Sequence, residues 1–158
     1  MKKFIAIALV ALCGVFAAQA QVEKGGLAIG GNVVYGDEIE SMGLGARVQY
    51  GILDNLRTEL GFNYFFEHNE VNMYDVNLNF HYLLGLWEQK LYAYPIVGLT
   101  FAHAGVDGLD GVNKLGANLG AGLEYELTER VGVNLEYRHS FVKDIDQNVI
   151  GLGFNYKF

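Results

Sequence analysis

Cysteine and proline occur once each in this chain, as Cys13 and Pro95, and no long apolar run appears beyond residue 21. A single thiol leaves no intrachain disulfide to argue from. The missing apolar runs exclude membrane-spanning helices from that stretch, since a helix needs roughly 20 apolar residues to cross a bilayer. Basic residues are scarce too: 11 Lys and Arg stand against 18 Asp and Glu, a balance that opposes nucleic acid as a partner. No low-complexity linker or charge block marks a domain boundary. What is abundant is glycine, 21 residues, with 10 Tyr and 10 Phe. With abundant Val as well, this composition disfavours helix and suits strands, Gly marking bends or closely packed positions.

The N-terminus reads as an address. Lys2 and Lys3 precede a nearly all-apolar run from Phe4 to Phe16, and Ala18-Gln19-Ala20 is an A-x-A cleavage site before Gln21. Residues 1–20 are therefore expected to be a cleaved secretory signal peptide. The run is too short for a retained membrane anchor and ends in small residues. Cys13 would leave with it, and Leu12 is not the small residue that a lipid-modified Cys requires before it. Residues 21–158 then form one domain, and losing two lysines takes the formal charge from −7 to about −9.

The closing stretch, Gln147 to Phe158, sets the pattern for the rest: Ile150, Leu152, Phe154, Tyr156 and Phe158 alternate with Gly151, Gly153, Asn155 and Lys157. A period of two sends these sets to opposite faces of a strand. Similar alternation, with Gly and Asn in the polar set, recurs after residue 25 and predicts an eight-stranded antiparallel up-and-down transmembrane β-barrel, all-β, with the apolar set facing lipid. The strands are expected at Gly25 to Gly36, Met42 to Gly51, Leu56 to Phe66, Met73 to Leu84, Leu91 to His103, Asn113 to Leu127, Val131 to Phe141 and in the closing stretch. The fourth has the cleanest contrast, with Tyr74, Val76, Leu78, Phe80 and Tyr82 opposite Asp75, Asn77, Asn79 and His81. In the fifth, two sets compete; Ala93, Pro95, Val97, Leu99 and Phe101 are favoured for lipid over Tyr92, Tyr94 and Ile96.

Compact links follow strands two, four and six, namely Ile52 to Asn55, Gly85 to Lys90 and Thr128 to Arg130. Asp37 to Ser41, Glu67 to Asn72, Ala104 to Val112 and Val142 to Asp146 follow the odd strands. Short periplasmic turns, longer outer loops and an even strand number place both termini on the periplasmic side. Tyr50, Tyr82, Trp87, Tyr125 and Tyr156 then gather at the periplasmic rim, and Tyr35, Tyr64, Phe66, Tyr74 and Phe141 at the outer one, as aromatic girdles.

On these features the chain resembles the small bacterial outer-membrane β-barrels of the OmpX and OmpA membrane-domain type: signal peptide, eight alternating strands, acidic loops and a terminal Phe158. The resemblance spans residues 21–158. It implies location in the outer membrane of a Gram-negative bacterium, contact with outer-membrane lipid and lipopolysaccharide, and recognition of Phe154, Tyr156 and Phe158 by the assembly machinery. The outer loops are shorter than in the OmpX pattern, which argues against a protruding adhesive sheet.

The interior is expected to hold a polar network of Arg47, Arg57, Glu59, Glu124, Glu126, Glu136 and Arg138, with opposite charges on neighbouring strands. Eight strands leave a lumen that side chains can fill, which disfavours a porin. No cofactor or metal is expected, because His68, His81 and His103 lie on different segments without ligand spacing. No catalytic residues are expected either, since adjacent His139 and Ser140 point to opposite faces of a strand. The role expected is structural or in surface interaction with an external protein or surface ligand, in envelope integrity, adhesion or defence. A lipid-modifying enzyme or a narrow gated channel are the alternatives. Asp37, Glu38, Glu40, Glu67, Glu70, Asp107, Asp110, Asp144 and Asp146 make the loops acidic against one cation, Lys143, which reads first as a solvated face that keeps the tip soluble; lipopolysaccharide phosphates would be repelled by it unless Ca²⁺ or Mg²⁺ bridged the two.

Overall fold

A computed structural model describes residues 24–68, 71–88, 90–106 and 111–158. The expected signal peptide and Cys13 lie outside these residues, as do Glu70, Asp107 and Asp110. The strands are β1 (Leu27–Gly36), β2 (Ser41–Leu53), β3 (Leu56–His68), β4 (Val71–Tyr82), β5 (Leu84–Trp87), β6 (Leu91–Val106), β7 (Val112–Glu126), β8 (Val131–Phe141) and β9 (Gln147–Lys157). All pairings are antiparallel, β1 joins β9, and both β4 and β5 lie on β6, so the sheet closes into an eight-stranded barrel in which β4 and β5 form one interrupted strand.

The interruption falls opposite the single proline. His81 faces Ile96 and Leu84 faces Ala93 in one register, which places Tyr82 and Leu83 across from Pro95 and Tyr94. Pro95 has no N–H to donate to the ladder. Leu83 N–H points the other way, towards β3, and donates to the carbonyl of Asn55, 2.8 Å away in the turn before that strand. The fourth strand was expected to stop at Leu84; it resumes beyond this gap and runs to Trp87.

Register fixes the tilt of the barrel. Facing residues run from Ala93 through Leu123, Leu135, Leu152, Val33, Leu44, Tyr64 and Tyr74 to His103, returning to β6 ten residues farther along. This stagger and the strand tilt are linked in any closed barrel.

The two faces separate as period two requires. Leu44, Leu60, Phe62, Leu78, Leu119, Leu135, Leu152 and Phe154 are exposed on the outer wall, while Asn63, Asp75, Asn77, Asn79, Asn118, Asn134 and Asn155 are buried inside. On β6, Val97, Leu99 and Phe101 face out, and Tyr92, Tyr94 and Ile96 are buried within. Apolar side chains also occupy the two ends of the lumen, which was expected to be polar. Val34, Phe65, Met73, Ala102, Val142 and Val149, with Ile39 and Ile145 against them, pack at the end away from the termini, here the distal end. Leu83, Tyr92, Tyr94 and Ile96 pack towards the terminal end.

Distal links are barely longer than those at the terminal end. Residues 37–40 join β1 to β2, 69–70 join β3 to β4, 107–111 join β6 to β7 and 142–146 join β8 to β9, against 54–55, 88–90 and 127–130 at the terminal end. Nothing in the described loops projects as a sheet beyond the rim.

Candidate functional site

The barrel interior gathers the ionisable residues. All seven members of the expected polar network face the lumen, but most of their partners stand elsewhere than on neighbouring strands. Only Arg47 and Glu59, 3.2 Å apart, pair between adjacent strands. Arg57 of β3 meets Glu124 of β7 through both terminal nitrogens, at 3.1 and 2.9 Å. Arg47 of β2 reaches Glu136 of β8 at 2.8 Å, and Arg138 of β8 reaches Asp75 of β4 at 3.0 Å. Each of these three contacts spans three steps around an eight-strand wall, so they brace the barrel nearly along its diameter. A wall this narrow lets a long Arg side chain cross it; neighbours on the same face compete with shorter reach.

Neutral groups complete the network. Gln49 donates to Glu59 at 2.7 Å, Asn155 to Glu124 at 3.0 Å, and Asn63 and Asn77 to Asp75 at 2.7 and 2.5 Å. Asn118 links Asn77 and Asn79 and accepts from the Ser140 hydroxyl at 2.9 Å. Buried charges are tolerable only when paired and hydrogen-bonded in this way. Tyr94 joins several of these groups: its hydroxyl donates to Glu136 at 2.8 Å, its ring stacks on His81 at 4.9 Å between centroids, and the Arg57 guanidinium lies 4.8 Å from its centroid. It fits because Gly122 faces it, where a Cβ would sit 2.4 Å from the ring. Near the terminal end Lys157 pairs with Glu126.

Asp75, His81, Tyr94 and Lys157 were not among the expected network members. The signal for the first two was present, since both lie in the polar set of the fourth strand. His81 takes a hydrogen bond from Arg57 Nε at Nδ1, 3.1 Å away, and its Nε2 lies 3.9 Å from Glu59. His103 is outside, stacked on Tyr74, and the side chain of His68 lies outside the described residues. Ser140 points into the lumen while His139 contacts Asn148 at 2.9 Å on the outer wall. The two share no hydrogen bond and make no nucleophile-base pair.

Two further features sit at the rims. Distally, the Asp37 carboxylate accepts from the Asn148 backbone and side-chain amides at 2.7 and 2.5 Å, and these donors, the side-chain amide foremost, hold its pKa below the usual carboxylate range. At the other end Phe158 N–H donates to the Leu27 carbonyl at 3.0 Å, and its exposed ring meets Tyr156 edge-on at 5.3 Å. Tyr50, Trp87 and Tyr125 are exposed, as are Tyr35, Tyr64, Phe66 and Phe141 on β1, β3 and β8.

A closed barrel with an apolar outer wall and a cross-braced polar interior is a small integral outer-membrane protein. The chain belongs to the outer membrane protein beta-barrel domain family, whose pattern matches residues 5–158. It is located in the outer membrane. Among solved structures it is similar to the N-terminal β-barrel domain of Pseudomonas aeruginosa OprF, with 20% identity and a TM-score of 0.73 over 85% of this chain and 98% of that one. Ail, the attachment invasion locus protein of Yersinia pestis, gives 17% and 0.61 over 84% and 97%. Neisserial surface protein A gives 17% and 0.63 over 84% and 96%. No curated protein matches the chain.

Proposed function

We propose that the protein is a non-conducting, non-enzymatic barrel that contributes to envelope integrity, its outer wall seated in lipid and its distal rim meeting lipopolysaccharide. The observation that carries this reading is the triple bracing of the lumen by Arg57–Glu124, Arg47–Glu136 and Arg138–Asp75, closed distally by the Phe65 and Met73 cluster. Such an interior resists collapse and fills with side chains a lumen that eight strands leave narrow. Residues 1–20 act as the cleaved signal, and Phe154, Tyr156 and Phe158 as the segment that the assembly machinery reads.

Surface adhesion is the weaker role for this chain. Ail has been crystallised with sucrose octasulfate, a heparin analogue and a polyanion. The described distal loops here carry Asp37, Glu38, Glu40, Asp144 and Asp146 against Lys143, and Lys114 is engaged by Asp144 at 3.3 Å. A polyanion would be repelled; an anionic lipid headgroup would need a bridging dication. The test is a deletion strain compared with its parent for detergent sensitivity and for attachment to host cells. Increased detergent sensitivity, restored by the wild-type gene, is expected; an attachment defect without any change in detergent sensitivity would reverse the assignment.

A further inference from the structure

We propose that Glu59, His81 and Glu136 form a site inside the barrel for one dication of the zinc class. One ligand atom from each lies within 4.8 Å of the others. The three come from β3, β4 and β8, so no sequence spacing could reveal them.

Each residue is held by one atom and has another to offer. Glu59 gives Oε2 to Arg47 and Gln49, while its Oε1 has a long 3.5 Å contact from Asn79 and lies 3.9 Å from His81 Nε2. Glu136 gives Oε1 to Arg47 and to Tyr94, so Oε2 is the oxygen it can present. His81 is fully buried, and its Nε2 has no hydrogen-bond partner. An imidazole nitrogen with two carboxylate oxygens is a donor set that zinc accepts, with water as a fourth ligand, and outer partners that fix the ligands are the usual support of such a centre.

Charge points the same way. Among the described residues, the interior ion pairs join Arg47, Arg57, Arg138 and Lys157 to Asp75, Glu59, Glu124, Glu126 and Glu136, one acid more than the bases, and Arg47 serves both Glu59 and Glu136. The surplus negative charge therefore falls at this spot, where burial makes an uncompensated charge costly. Zinc holds nitrogen and oxygen at about 2.0–2.2 Å, so the ligands must draw together. Glu136 has the slack, its side chain being 13% exposed where that of Glu59 is 5%.

Binding would alter one existing contact. Arg57 Nε–H donates to His81 Nδ1, so without metal the ring proton sits on Nε2. A metal taking the Nε2 lone pair moves that proton to Nδ1, and Arg57 Nε must release the ring while both terminal nitrogens stay on Glu124.

The experiment is titration of the tag-free, chelator-stripped barrel in detergent with Co²⁺ and then Zn²⁺. One equivalent of Co²⁺ with visible absorption bands of a protein-bound ion, displaced by Zn²⁺, is expected, together with an imidazole ¹⁵N spectrum showing His81 protonated at Nδ1 once Zn²⁺ is bound. Glu136→Gln and His81→Gln should each weaken binding by roughly tenfold or more, whereas His103→Ala and His139→Ala should leave it unchanged. Should His81→Gln fail to fold, Glu136→Gln decides. Absence of one-equivalent binding, binding that survives Glu136→Gln, or binding lost with the outer histidines would overturn the site.

Discussion

Arg57 and Glu124 lie 67 residues apart in sequence and on strands three steps apart around the wall, yet they form the most deeply buried ion pair of the interior. Removing one partner strands the other charge in a medium that cannot solvate it. Glu124→Gln or Arg57→Met alone should therefore lower stability by about 3–5 kcal/mol, while the double replacement Arg57→Met with Glu124→Met should recover much of that loss. Urea titration of the barrel refolded in vesicles measures all three, and equal destabilisation by the double and single variants would show that the pair does not act as a unit.

The outer wall is tested at Leu78, Leu119 and Leu135, which lie centrally in their strands and are exposed by 43–54%. Arg at these positions should cost roughly 2–4 kcal/mol by the same titration, the charge being forced into hydrocarbon. Arg at the adjacent Asn77, Asn118 or Asn134 enters the lumen instead, where crowding and local hydrogen bonds decide the loss. A common depth-dependent cost for both sets would contradict the separation of faces.

Those faces were legible because alternation survives any register: Asn77 and Leu78 are assigned by their neighbours alone. What periodicity cannot supply is the partner across the lumen, since that depends on the ten-residue stagger and on reach over three strands. Hence Arg47 and Arg57 were identified as interior residues while Glu136 and Glu124 could not be matched to them. Phe65 was hidden for a different reason, standing between Tyr64 and Phe66 in an apolar run where period two gives no contrast. Met73 and Val149 escaped notice because an apolar inward residue looks like any strand residue. Pro95 did carry a signal, a gap in the ladder, but its location on the partner strand required the register.

The absence of conduction through the lumen can be measured directly. Phe65 and Met73 are buried in the distal cluster, and the ion pairs span the interior below them. Purified monomer in planar bilayers should show no stable porin-sized conductance. Reproducible large channels would contradict both the bracing and the distal closure.

At the distal rim, Asp37 ties the turn after β1 to β9 through Asn148, and the side-chain amide is the main cause of its lowered pKa. Its folded value lies below its unfolded one, so the tie contributes fully above the unfolded carboxylate range, near pH 4, and is lost as pH falls through the lower folded value. Because Asp37 is largely solvated, the effect on global stability is small. Hydrogen exchange of the Asn148 amides should accelerate in this acidic window relative to β1 interior amides, and Asp37→Asn should abolish that pH-dependent difference. Identical pH profiles for the two proteins would assign the protection elsewhere.

Phe158 separates recognition from stability. The residue is 73% exposed, its ring touches Tyr156, and its backbone N–H closes on Leu27. Deleting the residue removes one aromatic contact and one terminal hydrogen bond, losses of about 1.5–3 and 0.5–1.5 kcal/mol at most, which an otherwise closed barrel should survive in detergent. If the assembly machinery reads this terminus, the deletion should impair insertion in cells at ordinary expression far more than refolding in vitro. Heat-modifiable gel mobility reports both states. Normal insertion in cells would remove the recognition role, and failure to refold in detergent would give Phe158 a role in stability instead.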